Sequence, residues 1–170
     1  SVPEANRLGR EGQGFAIAMR ALDSGRIGIS GQALGIAQAG VDEARDLMRE
    51  KGHEQSKGDE DVLDPLAGQG DDFSLADMAT RVRSARLLAY NAAWRCARGL
   101  AFTREASMAK LHSTDTAMQV SLDALQIAGE EGARAGSPFE RHVRDAKALQ
   151  IYEGTNQVQR FVIARELLRT

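Results

Sequence analysis

The sequence has few of the residues that build metal, disulfide or nucleic-acid sites. Its three histidines, His53, His112 and His142, lack the spacing of metal ligands, so no metal site is predicted. The single cysteine, Cys96, cannot form an internal disulfide, and its alanine neighbours favour a small buried core residue over a reactive thiol. Basic residues do not cluster with aromatic ones, and the isoelectric point near 5.9 argues against nucleic acid as a partner.

Long apolar runs are also missing. No stretch of apolar residues approaches the roughly 18 that a membrane-spanning helix needs. The segment Ser1-Val2-Pro3-Glu4 does not have the basic and then apolar regions of a signal peptide. We therefore expect no membrane span and a cytoplasmic location, or the mitochondrial matrix if the source is eukaryotic.

Prolines and aromatic residues are scarce, at three prolines and an aromatic share of 5%. Alanine, leucine, arginine and glutamate are abundant instead, and these residues favour helices. No alternating apolar pattern of useful length indicates a strand. We predict an all-α fold, one antiparallel four-helix-bundle-like domain over residues 1–170, with three long helices and two shorter ones.

Apolar periodicity and capping residues predict where these helices lie. The long helices are expected over residues 13–51, from a cap at Ser74 to about Arg98, and from a cap at Thr103 to Gly129. A shorter helix begins after the cap Ser137 and ends near Leu149, and a terminal one follows the cap Thr155.

Two features interrupt this pattern. Five glycines lie within the first helix, and each costs roughly 0.5–1 kcal/mol relative to alanine, so we expect another helix or a ligand to approach closely there. They are Gly25, Gly28, Gly31, Gly35 and Gly40.

Between Glu54 and Asp72, seven acidic residues accompany the single base Lys57, and the stretch at about 52–72 is predicted to be a mobile, solvated acidic loop.

The residues Tyr152-Glu153-Gly154-Thr155 form a break between the last two predicted helices. Gly154 frees the backbone and Thr155 can cap the next helix, so Glu153 is expected on a turn at a helix start. Glu153 has two interpretations from these residues alone. It is either an exposed acid that complements the helix dipole, or a general base held over a pocket.

The chain resembles the C-terminal domain of the acyl-CoA dehydrogenases in three places. The strongest match is near-continuous over residues 144–169 and includes Gln150-Ile151-Tyr152-Glu153-Gly154-Thr155-Asn156. A second match opens the chain, with Gly12-Gln13-Gly14-Phe15 and Asp23-Ser24-Gly25-Arg26-Ile27-Gly28, and a third comprises Leu75-Ala76-Asp77-Met78-Ala79 and residues 105–111. The matches occur in family order and span almost the whole chain.

The resemblance implies a flavin-dependent oxidoreductase that dehydrogenates a fatty acyl-CoA thioester between Cα and Cβ. Glu153 is similar in position to the general base, since the other place for a base in this family corresponds to about Gly25, which has no side chain to serve. The family further implies FAD as cofactor, electron-transfer flavoprotein as electron acceptor, and a homo-oligomer, either a dimer or a tetramer. The implied substrate-binding residues are Asp23, Arg26, Tyr152 and Gly154, and the implied cofactor-binding residues are Thr155, Gln157, Gln126 and Gly129.

Three departures from the family pattern keep other functions open. The Arg and Phe of a flavin-contacting segment are absent after the first helix, and Glu130 and Glu131 replace a glycine and an aromatic residue at the dinucleotide turn, where carboxylates would repel a pyrophosphate. The N-terminal and middle domains of the family also have no counterpart in these 170 residues, so the chain alone is expected to be inactive or nearly so. The alternatives are a non-catalytic scaffold subunit that pairs with a flavin-bearing one, and a helical-bundle interaction module unrelated to flavin chemistry.

Overall fold

The computed structural model describes residues 2–55 and 69–169, and within these ranges all regular structure is helical. The all-α class is therefore confirmed, with three long helices and two of 12 residues as predicted. The elements are a short 3-10 turn at Glu4–Asn6, followed by α1 (Gly14–Gln55), α2 (Gln69–Ala97), α3 (Thr103–Ala128), α4 (Glu130–Ala133), α5 (Pro138–Leu149) and α6 (Asn156–Leu167).

Helix α3 is the centre of the fold and contacts α1, α2, α5 and α6. Its inward face consists largely of small residues, with Ala109, Ala117 and Ala124 almost completely buried. Small side chains allow neighbouring helices to approach closely, and larger residues such as Met78 and Val82 of α2 fill the space between them. Cys96 is only partly buried, so the expectation of a core position for it is wrong.

The predicted caps are confirmed for the two short helices and wrong for two long ones. Ser137 Oγ accepts a hydrogen bond from the Phe139 amide at 3.3 Å, and Thr155 Oγ1 accepts one from the Val158 amide at 3.3 Å. Ser74 instead lies inside α2, which begins five residues earlier. Phe102 occupies the cap position of α3, because the hydroxyl of Thr103 bonds a carboxylate on α1 instead.

The edges of the predicted acidic loop differ from the structure. Residues 52–55 belong to α1 and residues 69–72 to α2, so both helices extend further than their apolar pattern indicated. The remainder of the predicted loop, residues 56–68, lies outside the described residues. No helix in the described ranges is long and apolar enough to cross a membrane.

Close approach explains two of the five glycines of α1. A Cβ on Gly40 would lie 3.3 Å from Val120 Cγ1 of α3, and one on Gly25 would lie 2.7 Å from Glu153 Oε2. No described residue of this chain approaches Gly28, Gly31 or Gly35, because a Cβ there would meet nothing within 4 Å. Gly25 is thus one point where α1 meets the turn between α5 and α6.

Candidate functional site

The turn between α5 and α6 holds a carboxylate in an unusual backbone conformation. Glu153 has a φ of 57°, the only positive value for a residue other than glycine in the described ranges. Such a conformation is costly for a side chain with a Cβ and persists where the surroundings enforce it. The carboxylate extends into the space beside Gly25 of α1. This space is open to the carboxylate because glycine has no side chain.

Two buried side chains hold this turn from below. Lys110 Nζ donates to the Gly154 carbonyl at 2.9 Å, and Gln159 Nε2 donates to the same carbonyl at 3.0 Å. Both side chains are completely inaccessible to solvent. Gly154 has a φ of 93°, and a Cβ there would come within 2.6 Å of Gln159 Nε2, so only glycine fits.

A polar network extends from Lys110 to the start of α6. Asn156 accepts from Lys110 Nζ at 2.9 Å and donates to Thr114 Oγ1 at 2.9 Å and to Asp115 Oδ1 at 2.7 Å. Asp115 also contacts Arg160 of α6 at 3.3 Å. The network therefore ties α3 to the beginning of α6, directly beneath the Glu153 turn.

Asp23 and Arg26 lie on the same turn of α1 as Gly25 and form a buried pair. Arg26 Nη1 donates to Asp23 Oδ1 at 2.6 Å and to Ser107 Oγ at 3.2 Å, and Thr103 Oγ1 donates to Asp23 Oδ2 at 2.5 Å. Arg26 is 6% exposed, and its buried Nε has no hydrogen-bond partner. The pair thus links α1 to α3 and is more than the surface ion pair that its spacing would suggest.

Burial and nearby charges shift the pKa values of two side chains around the turn. Burial lowers the pKa of Lys110 to about 8, with a smaller contribution from the positive charge of Arg26, while Asp115 and Glu153 oppose the shift. Burial and the Glu153 charge raise the pKa of Tyr152, whose hydroxyl donates to Gln32 Oε1 of α1. Tyr152 therefore bridges the turn to α1 as a neutral phenol near neutral pH.

The four candidate cofactor residues fall in two separate places. Thr155 and Gln157 line a cleft beside the turn together with Arg160. Gln126 and Gly129 line another cleft at the far end of α3, where Glu130 also lies. Since Asp115, which also lines the first cleft, and Gln126 are 11 residues apart on one helix, the two clefts are roughly 16 Å apart along α3. Within one chain the structure does not bring these two pairs together.

Residues 12–168 match the family model described as the C-terminal domain of acyl-CoA dehydrogenase. The chain belongs to this family. Its relatives include an acyl-CoA dehydrogenase of Bacillus subtilis, which is 50% identical over 168 residues, or 98% of this chain and 42% of the relative. This family membership excludes a helical bundle unrelated to acyl-CoA dehydrogenases.

Solved structures support the same assignment of this acyl-CoA dehydrogenase C-terminal domain. Butyryl-CoA dehydrogenase from Megasphaera elsdenii matches with a TM-score of 0.84 and 46% identity over 98% of this chain and 42% of that one. A chain in a structure described as the electron transferring flavoprotein of Acidaminococcus fermentans matches with a TM-score of 0.88 and 44% identity, covering 99% and 43%. The domain spans less than half the length of each of these three proteins.

Sequence reasoning did not single out several residues that build the acyl-CoA dehydrogenase domain's site. Lys110 and Gln159 hold the turn, Asn156 connects them to α3, and Gln32 accepts the Tyr152 hydroxyl. For Lys110 the sequence spacing was a usable signal. Lys110 lies four residues after the buried Ala106, on the inward stripe of α3, where a lysine requires buried partners.

Proposed function

We propose that this domain supplies Glu153 as the general base in the α,β-dehydrogenation of a fatty acyl-CoA thioester by a flavin-dependent acyl-CoA dehydrogenase. The observation that carries the proposal is the enforced position of Glu153. Its carboxylate is held on a turn of positive φ, braced by Lys110 and Gln159, with free space beside Gly25. An acid that merely complements the dipole of α6 would need none of this bracing.

The residues around Glu153 have distinct tasks in this proposal. Glu153 would remove the α-proton of the thioester, and FAD, when bound, would supply the acceptor for the hydride of Cβ. Tyr152 and Gly154 shape the pocket around the thioester, and the buried pair of Asp23 and Arg26 lines its wall on α1. Water is excluded from the back of the pocket by the packed network beneath the turn.

FAD contacts are proposed at both clefts. Thr155 and Gln157 would meet the flavin, and the positive charge of Arg160 suits a polar cofactor there. Gln126 and Gly129 would receive the dinucleotide end of a flavin held by a neighbouring subunit, which agrees with their distance from Glu153. Glu130 lines that second cleft and is paired with Arg134 at 3.6 Å, and the exposed Glu131 directly follows it in α4. We therefore expect FAD affinity to be weakened by these two carboxylates.

The proposed partners follow from the family. The substrate is an acyl-CoA, the electron acceptor is an electron-transfer flavoprotein, and the protein is a homo-oligomer, a dimer or a tetramer, in the cytoplasm or the mitochondrial matrix. We also propose that residues 1–170 act as one domain of a larger catalytic unit. A domain of this kind would be inactive alone, because family members cover the flavin and the acyl chain with further domains.

A second candidate function is a non-catalytic scaffold subunit of the same family. The exposed carboxylates of Glu130, which lines the dinucleotide cleft, and of Glu131 next to it favour this function, because they would repel a pyrophosphate. In that case Glu153 would retain its position without a hydride acceptor, and flavin would bind only to a partner subunit.

A hybrid enzyme tests both candidates. This domain would replace the matching segment of the Bacillus subtilis relative, and purified hybrid would be assayed for flavin absorbance and acyl-CoA oxidation. We expect a yellow, active protein in which Glu153→Gln lowers kcat by about 10³-fold or more, as the loss of a positioned base should. Glu166→Gln, at a partly buried acid of α6 that pairs with Arg169, is the matched control and should leave kcat unchanged.

Two results would contradict the proposed function. If Glu153→Gln kept kcat within about two-fold of the wild type, Glu153 would not be the base. A colourless hybrid that takes up no FAD on titration would favour the scaffold function instead.

A further inference from the structure

We propose that Lys110 is a positioning residue for Glu153: it fixes the peptide that follows the base and keeps the carboxylate directed at α1. The inference rests on the proposed function of Glu153. It assigns a role in the reaction to a buried side chain that lies on another helix, 43 positions earlier in the sequence.

The burial of Lys110 is the first observation. The side chain is completely inaccessible, and lysine is almost never found in that state without partners that require it. Its ammonium has three donors, and two of them are used on uncharged acceptors, the Gly154 carbonyl and Asn156 Oδ1, each at 2.9 Å. A methionine of similar volume would fill the space, so packing alone does not explain the choice of lysine.

The second observation is where these hydrogen bonds end. The Gly154 carbonyl belongs to the residue directly after Glu153, and it accepts from Lys110 and Gln159 together. Glu153 itself is held at a φ of 57°, which the surroundings must enforce. Two donors on one carbonyl restrict the rotation by which the turn would relax to a common conformation.

The third observation is that Lys110 is itself held in place. Asn156 accepts from Lys110 while it donates to Thr114 Oγ1 and Asp115 Oδ1, so the position of the ammonium is defined by both α3 and α6. The ammonium and the Glu153 carboxylate also attract each other.

The test compares Lys110→Met with a control in the same hybrid enzyme. Arg81→Met is matched, because Arg81 also joins α3 to a neighbouring element, through its 2.9 Å contact with Asp123, but it does not touch the turn. Each variant would be measured for kcat and KM across pH and for backbone deuterium exchange in the peptide spanning residues 150–157.

For Lys110→Met we expect kcat to fall by about 10-fold to 100-fold, since a displacement of the base by an ångström has an effect of this size. KM should stay within about two-fold, because the acyl-CoA contacts remain. Exchange in the turn should rise by about ten-fold, because the Gly154 carbonyl loses one of its two donors. Arg81→Met should show none of these changes.

Unchanged exchange in the turn would overturn the inference, as would a kcat within about two-fold of the wild type. If Lys110→Met does not fold, Lys110→Gln retains an amide donor without the charge. It should preserve the fold and still lower kcat while KM stays within about two-fold, and an unchanged kcat would equally overturn the inference. The two proposals fail separately: activity that survives Glu153→Gln would show that Glu153 is not the base, whereas deuterium exchange in the turn tests the role of Lys110 without reference to activity.

Discussion

Gly25 is the residue at which α1 leaves room for the Glu153 carboxylate. We predict that Gly25→Ala displaces this carboxylate, because the new Cβ would lie 2.7 Å from Oε2, and kcat in the hybrid enzyme should fall by about ten-fold or more. The free energy of unfolding should stay level or rise by about 0.5–1 kcal/mol, since the end of a glutamate can move and alanine favours the helix.

Gly28→Ala is the control for this prediction. Gly28 is exposed on the same helix, and a Cβ there meets nothing within 4 Å. It should give the same gain in stability with unchanged kcat. Equal kcat for Gly25→Ala and Gly28→Ala would show that the space beside Gly25 is not needed.

Lys110 makes stability depend on pH in a defined direction. Burial lowers its pKa from 10.5 to about 8, so between these values the unfolded chain binds more protons at this residue than the folded chain. Stability rises with pH wherever that holds. Relative to Lys110→Met, we expect the free energy of unfolding of the wild type to increase by up to about 3 kcal/mol across this range. Urea unfolding of both proteins at several pH values measures it, and a constant difference would contradict the prediction.

At the scale of elements, α1 and α3 are in close contact where Gly40 meets Val120. We predict that Gly40→Leu destabilises the chain by about 1–3 kcal/mol, because Gly40 is buried and a Cβ there is already within 3.3 Å of Val120 Cγ1. Gly35→Leu, at an exposed position with open space, should not destabilise it. Thermal unfolding of both variants measures the difference. Equal unfolding temperatures would show that α1 and α3 are not in close contact at Gly40.

The helix ends show why some elements could be predicted and others could not. The caps Ser137 and Thr155 bond amides two and three residues away, so the information that specifies them is local. The hydroxyl of Thr103, by contrast, is occupied by a neighbour outside the local pattern. Thr103 in particular bonds Asp23, a residue 80 positions earlier.

The whole molecule exposes an apolar stripe on α2 that the domain itself does not cover. Leu87, Tyr90 and Trp94 lie at helical spacing, and each is more than half exposed. Since we propose a homo-oligomer, we predict that this stripe becomes buried between subunits. The emission of Trp94, the only tryptophan, should then shift to shorter wavelength as the protein concentration rises to tens of micromolar.

Sedimentation measured in parallel should show a dimer or tetramer, and Tyr90→Arg should shift it towards monomer. Leu8→Arg alters another exposed apolar residue, one outside the long helices, and should leave assembly unchanged. A wild-type monomer throughout this concentration range would contradict both the proposed interface and the homo-oligomer.

The sequence by itself determined the helical class, the two local caps and membership of the family, because composition, periodicity and the motif at residues 144–169 are properties of neighbouring positions. It also identified Glu153, but with two interpretations. Only the tertiary structure decided that Glu153 reaches the space beside Gly25 and that a fully buried Lys110 holds the turn beneath it. The physical reason is that these three residues are far apart in the chain, and no local pattern records which side chains the packing of α1, α3 and the last turn will bring together.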